Sequence, residues 1–106
     1  MSDERRSSER KRLLLDARWE SMSRTHEARV DDVSLSGCFV NTYGHVEPKE
    51  EINLQIALPS GEWLSLSGHV ASYQPGVGFG MAFNSMSAAK LARLEELIAN
   101  SEERRI

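Results

Sequence analysis

The chain has 106 residues, of which 40% are hydrophobic and 27% charged, with a net charge of −3. That is enough for one soluble domain with a single core and too little for two. No stretch approaches the roughly 20 apolar residues of a membrane span, and the longest apolar run near the N-terminus, Leu13 to Leu15, is too short for a signal-peptide core, so a cytoplasmic location is expected.

Charge is unevenly placed. Residues 1–12 hold five basic side chains (Arg5, Arg6, Arg10, Lys11, Arg12) against three acidic ones (Asp3, Glu4, Glu9), a local +2 that leaves −5 on the rest. This segment is polar and lacks apolar periodicity, so it reads as a flexible arm. From Leu15 the pattern becomes period two, with Leu15, Ala17 and Trp19 facing one way and Asp16, Arg18 and Glu20 the other, which predicts a first strand. A connection over Ser21 to Thr25 leads to a second strand, in which Ala28 and Val30 alternate with Glu27, Arg29 and Asp31. Cys38 to Asn41 predicts a third. The fourth has the cleanest alternation: Ile52, Leu54, Ile56 and Leu58. Pro59-Ser60-Gly61-Glu62 then makes a turn, because proline presets φ and glycine accepts positive φ. Leu64, Leu66 and Val70 mark the returning strand, with Gly68 a candidate bulge. After a turn at Gln74-Pro75-Gly76, Val77, Phe79, Met81 and Phe83 form the last strand.

The period then becomes helical: Leu91, Leu94, Leu97 and Ile98 recur on one face, and Ser85 or Ser87 can cap the start. The expected fold is all-β with a C-terminal helix, a six-stranded antiparallel β-barrel whose closure removes exposed edges. Its parts are a flexible arm (1–12), a barrel (13–84), a C-terminal helix (85–100) and a frayed tail (101–106).

Two short motifs carry the chemistry. Arg6 and Arg10 are spaced R-x-x-x-R, with Arg5 directly before them, and Asp32, Ser34 and Gly37 are spaced D-x-S-x-x-G where one strand ends and another begins. Guanidinium forks grip phosphate oxygens or guanine's O6/N7 edge and stack on the base. A carboxylate accepts from the N–H donors of guanine's other edge, a serine hydroxyl adds an adaptable contact, and a glycine lets a ligand approach the backbone. Together they meet the needs of a phosphorylated guanine nucleotide. Alone, each motif equally describes solvated charge or ordinary turn residues.

In order, spacing and surroundings the pair resembles the PilZ domain family, bacterial receptors for cyclic di-GMP. The resemblance extends to Glu4-Arg5-Arg6, Gly37-Cys38-Phe39-Val40 and Gly76-Val77-Gly78-Phe79, and covers the chain from Glu4 to the C-terminal helix. It implies a split-barrel fold and a flexible arm in which Arg6 and Arg10 fold over the ligand. It also implies a barrel-surface half-site of Asp32, Ser34 and Gly37, with Asp32 reading guanine's donor edge. An arginine at position 5 suits an intercalated pair of cyclic di-GMP molecules, where a small apolar residue suits one. The expected function is a receptor that orders its arm on ligand binding and signals to an unidentified downstream protein. Motility, exopolysaccharide production, biofilm and virulence control are the processes the family implies. The rival reading is a ligand-independent PilZ-like adaptor that docks through its helix.

Other chemistries fare poorly. His26, His45 and His69 are scattered, and Cys38 is the only cysteine, which argues against both a metal site and a disulfide. No cofactor is expected. Ser34 lacks a nearby histidine base and no G-x-S-x-G elbow is present, so no catalytic residue and no enzyme is expected. Asp31 and Asp32, as neighbours on a strand, would face opposite sides, leaving Asp31 to solvent or to the turn. Gly76, Gly78 and Gly80 read as close packing, and Trp19 and Trp63 as core or barrel-rim residues. An RNA or single-strand DNA partner is not expected, because the body is acidic and only 7% of residues are aromatic.

Overall fold

The computed structural model describes residues 15–21 and 24–103, with side chains through residue 99. Six strands are followed by one helix: β1 (Leu15–Ser21), β2 (Arg24–Asp31), β3 (Gly37–Asn41), β4 (Glu51–Ala57), β5 (Trp63–Gln74), β6 (Gly78–Phe83) and α1 (Ala88–Glu103). The strands close into a barrel in the order β1-β2-β3-β6-β5-β4, each pair antiparallel, with β4 returning to β1. The all-β architecture with a terminal helix expected from the sequence is the one observed.

Alternation along the strands builds the core. Ala17, Trp19, Val30, Val40, Ile52, Leu54, Ile56, Leu64, Leu66, Val70, Phe79 and Met81 point inward and are buried. Burial of this apolar surface is the main stabilising term. Trp19 is the largest of them and carries a polar atom into the core, where its Nε1–H donates to Thr42 Oγ1 at 3.2 Å. Its ring stacks on His26 (4.2 Å between centroids, 18° between planes) and meets the edge of Phe79 at 5.2 Å. Trp63 sits on the outer surface with the Arg18 guanidinium 4.2 Å from its ring centre. Both tryptophans are thus core and rim residues.

The turns follow the residues that dictate them. Leu58 N–H donates to Glu62 O at 2.8 Å, and Gly61 takes φ +96°. Val77 N–H donates to Gln74 O at 2.9 Å, with Gly76 at φ +81°. β1 runs through Ser21 and β2 starts at Arg24, so Thr25, expected in the connection, instead pairs with Glu20. The expected bulge at Gly68 lies further along, between Val70 and Ser72. Gly68 itself stays in register, because a Cβ there would run into the carbonyl of Ala82. Val77 belongs to the turn and is exposed, and β6 starts one residue later.

α1 begins at Ala88, capped by Ser87, whose Oγ accepts the Lys90 N–H at 3.2 Å. It continues to Glu103, past the expected end at 100. Only part of the apolar stripe is buried: Leu94 and Leu97 join the barrel core and Ile98 packs against it, while Leu91 is 36% exposed. The helix meets the barrel along β5. Among the described residues no helix is long and apolar enough to cross a membrane. Leu94→Ala removes a fully buried side chain at the one place where helix and barrel share a core. The expected loss is about 2–5 kcal/mol of stability, read from urea unfolding.

Candidate functional site

The D-x-S-x-x-G motif fills the turn that joins β2 to β3 and ends on Gly37, the first residue of β3. Its conformation is dictated residue by residue. Asp31, the last residue of β2, accepts the Asp32 N–H on Oδ1 at 2.7 Å. Asp32 takes φ +56°, a left-handed conformation that aspartate tolerates better than most residues. The chain therefore turns away from the strand at Asp32, and the expectation that Asp31 and Asp32 sit as neighbours on one strand does not hold. Asp31 is a turn former. Val33 drops into the core with 0% exposure and anchors the turn from below.

Ser34 closes the loop. Its N–H donates to Gly37 O at 2.8 Å and its Oγ reaches the same carbonyl at 3.3 Å. The same Oγ accepts the Ser36 N–H at 3.2 Å and lies 3.1 Å from Ser36 Oγ. The side chain is wholly buried, so in this conformation the hydroxyl is committed to the turn. Leu35 and Ser36 form the exposed tip. Ser36 O accepts the Phe83 N–H at 2.9 Å, tying the tip to the end of β6.

Gly37 answers a packing need. A Cβ there would sit inside the van der Waals envelope of the Met81 carbonyl oxygen. The missing side chain therefore makes room for β6, and the residue itself is buried. Gly78 does the same at the opposite end of the β3–β6 ladder, where a Cβ would meet the Val40 carbonyl. Close packing was the expected role for Gly78, and the structure bears it out.

Arg5, Arg6 and Arg10 lie outside the described residues. The barrel nevertheless fixes where their segment is attached. Leu15, the first residue of β1, pairs with Val30, two residues before Asp32. Arg10 precedes Leu15 by five positions and Arg6 by nine. A fully extended chain then limits Arg10 to about 18 Å and Arg6 to about 32 Å from that anchor. The start of β1 and the Asp32 turn thus lie at the same end of the barrel. Asp32 is half-buried at that end, with its neighbour Asp31 supplying a second carboxylate. An anionic ligand arriving there meets negative charge from the barrel and needs cations from elsewhere in the chain.

A domain model of PilZ matches residues 4–100. The chain belongs to the PilZ domain family. Three solved structures share its fold. The Bacillus subtilis inhibitor of motility, MotI/DgrA, superposes with a TM-score of 0.76 at 14% identity, covering 96% of this chain and 53% of that one. This PilZ domain thus spans about half the length of MotI. The PilZ domain of CeSA from a cellulose-synthesizing bacterium gives 0.72 at 16% identity over 90% of this chain and 99% of that one. The PilZ domain of YcgR from Escherichia coli, solved with c-di-GMP, gives 0.72 at 11% identity over 86% and 84%. No curated protein sequence matches the chain.

Two contributions were hidden from sequence reading. Asp31 caps the turn, for which the only sequence signal is an acidic doublet at a strand end. Val33 is a core residue embedded in the polar motif, foreshadowed by an isolated valine between Asp32 and Ser34. Among the described residues no group of His, Cys, Asp and Glu side chains could hold a metal ion. Gly37→Ala is expected to destabilise the barrel by about 1–3 kcal/mol through overpacking against β6. An unchanged urea midpoint would show instead that the β3–β6 seam can absorb a methyl group.

Proposed function

We propose that this PilZ domain is a non-enzymatic cytoplasmic receptor for cyclic di-GMP. The observation that carries the reading is the pairing of Leu15 with Val30, which starts the arginine-bearing segment beside the Asp32 turn. Arg6 and Arg10 supply cations to the ligand, gripping phosphates and stacking on guanine faces. Asp32 accepts from guanine's donor edge. Ser34 and Gly37 serve the site by holding the turn in shape, Ser34 through its buried hydroxyl and Gly37 by letting β3 reach β6. The YcgR domain, which shares the fold and was solved with c-di-GMP, supports the ligand class.

Signalling follows from ordering. The arm folds onto the turn when the ligand brings phosphates and bases for Arg5, Arg6 and Arg10 to clamp. A downstream protein then reads the altered surface. The turn is well placed to pass the change on: Ser36 O is bonded to Phe83 N–H, and α1 begins five residues later. Val33 of the turn and Leu94 and Leu97 of α1 belong to one core cluster.

Isothermal titration with cyclic di-GMP, with GTP and cyclic di-AMP as controls, tests the reading. Selective binding is expected, with two ligands per chain if Arg5 supports an intercalated pair. A single ligand per chain keeps the receptor and discards the pair. A folded barrel that takes up no nucleotide points to the adaptor reading, in which the exposed Leu91 face of α1 offers the docking surface.

Arg6→Ala and Arg10→Ala each remove a charge-assisted hydrogen bond. They are expected to cost roughly 1.5–3 kcal/mol of binding, about one to two decades in affinity, with little change in the unfolding midpoint. Unaltered affinity in both variants removes the arm from the mechanism.

A further inference from the structure

The β2–β3 turn has two adjacent carboxylates, and the recognition reading uses only Asp32. The other is held where it governs its neighbour. Asp31 pairs with Phe39 in the β2–β3 ladder, so its backbone is fixed by the barrel. Its Oδ1 accepts the Asp32 N–H at 2.7 Å. Asp32 has φ +56°, and Lys49 is the only other described non-glycine residue with positive φ. A residue with a Cβ remains in that conformation when its surroundings over-determine it. On the far side, buried Val33 and the Ser34–Ser36–Gly37 hydrogen bonds clamp the turn. On the near side, the bond from Asp32 N–H to Asp31 is the local restraint on the Asp32 peptide.

We propose that Asp31 is the positioning residue for guanine recognition: its carboxylate holds the Asp32 peptide in the left-handed conformation from which the Asp32 carboxylate meets the guanine N–H donors. The inference rests on the cyclic di-GMP reading of this turn. Two acidic neighbours therefore divide the work, one shaping the backbone and one reading the base. In this role Asp31 acts through its Oδ1 as a hydrogen-bond acceptor, and the role reaches the ligand through Asp32.

Cyclic di-GMP affinity is measured by titration calorimetry for the whole chain and for Asp31→Ala, Asp31→Asn, Asp32→Ala and the Asp31→Ala/Asp32→Ala double variant. The Asp32 backbone conformation in the ligand-free proteins is read from its NMR three-bond HN–Hα coupling and Cα shift.

Asp31→Ala is expected to weaken binding about tenfold. Asp31→Asn, whose amide oxygen accepts the same bond, should stay within about threefold of the parent. In the Asp32→Ala background, Asp31→Ala should add less than about twofold, because its route to the ligand is gone. An undiminished Asp31→Ala effect in that background means that Asp31 touches the ligand itself, and overturns the proposal. So does an Asp31→Asn variant as weak as Asp31→Ala, or an Asp31→Ala variant as strong as the parent.

If the unmodified chain takes up no cyclic di-GMP, the receptor reading fails by itself and the NMR data decide the positioning role. Loss of the left-handed signature at Asp32 in Asp31→Ala, with retention in Asp31→Asn, supports it. Retention of that signature in Asp31→Ala overturns it.

Discussion

The structure depends on how closely β3 and β6 approach. Their ladder runs from Gly37, opposite Ala82, to Gly78, opposite Asn41. At each end a glycine faces a backbone carbonyl that a Cβ would strike, Met81 O at one and Val40 O at the other. One glycine comes from each strand, so the seam is tight along its whole length. β3 and β6 are the neighbours that bring the β1–β2 hairpin and the β4–β5 hairpin into one closed sheet. A barrel loosened at this seam exposes the unpaired edges that closure removes.

The same seam sets the position of the candidate site. Gly37 is both the last residue of the D-x-S-x-x-G motif and the first residue of β3. The carbonyl of Ser36 next to it receives the β6 terminal amide, and the carbonyl of Gly37 receives Ser34. The turn is therefore fixed to the barrel wall by main-chain bonds, and to the core by Val33. Asp32 sits half-buried in that frame. Pre-organisation of this kind lowers the ordering cost of any binding at the turn.

The two ends of the barrel are built for different purposes. At the end away from the motif, Thr42 receives the Trp19 indole, and Gly44 lies against the Trp19 and His26 rings, so the β3–β4 connection seals the core. Val46 from that connection is itself buried. At the motif end, sealing falls to Val33 and to α1 through Leu94 and Leu97. Part of the seal on that side is thus made from the D-x-S-x-x-G turn. That shared packing joins the turn to the helix, since close-packed cores transmit displacement instead of absorbing it.

Much of this was legible in the sequence, because it rests on local patterning. Period-two alternation from Leu15 to Phe83 and the helical stripe from Leu91 to Ile98 identified six strands and one helix. Proline and glycine located the turns at Gly61 and Gly76. The paired motifs gave the family and the candidate residues. What the sequence left undecided depends on which chain segments meet. A glycine in a motif reads the same whether it faces a ligand or a neighbouring strand, and only the β3–β6 register shows that Gly37 faces Met81. Leu91 has the spacing of its buried partners, yet the packing of α1 on the barrel leaves it exposed while Leu94 and Leu97 are buried. Asp31 and Asp32 are chemically identical in the sequence. Strand pairing at Asp31 and a positive φ at Asp32 separate them, because hydrogen bonds across the barrel decide where the strand ends. Composition and periodicity by themselves determined the elements and the chemistry on offer; tertiary structure decided which atoms are buried and which neighbours they face, since facing is a property of long-range contacts that no local pattern encodes.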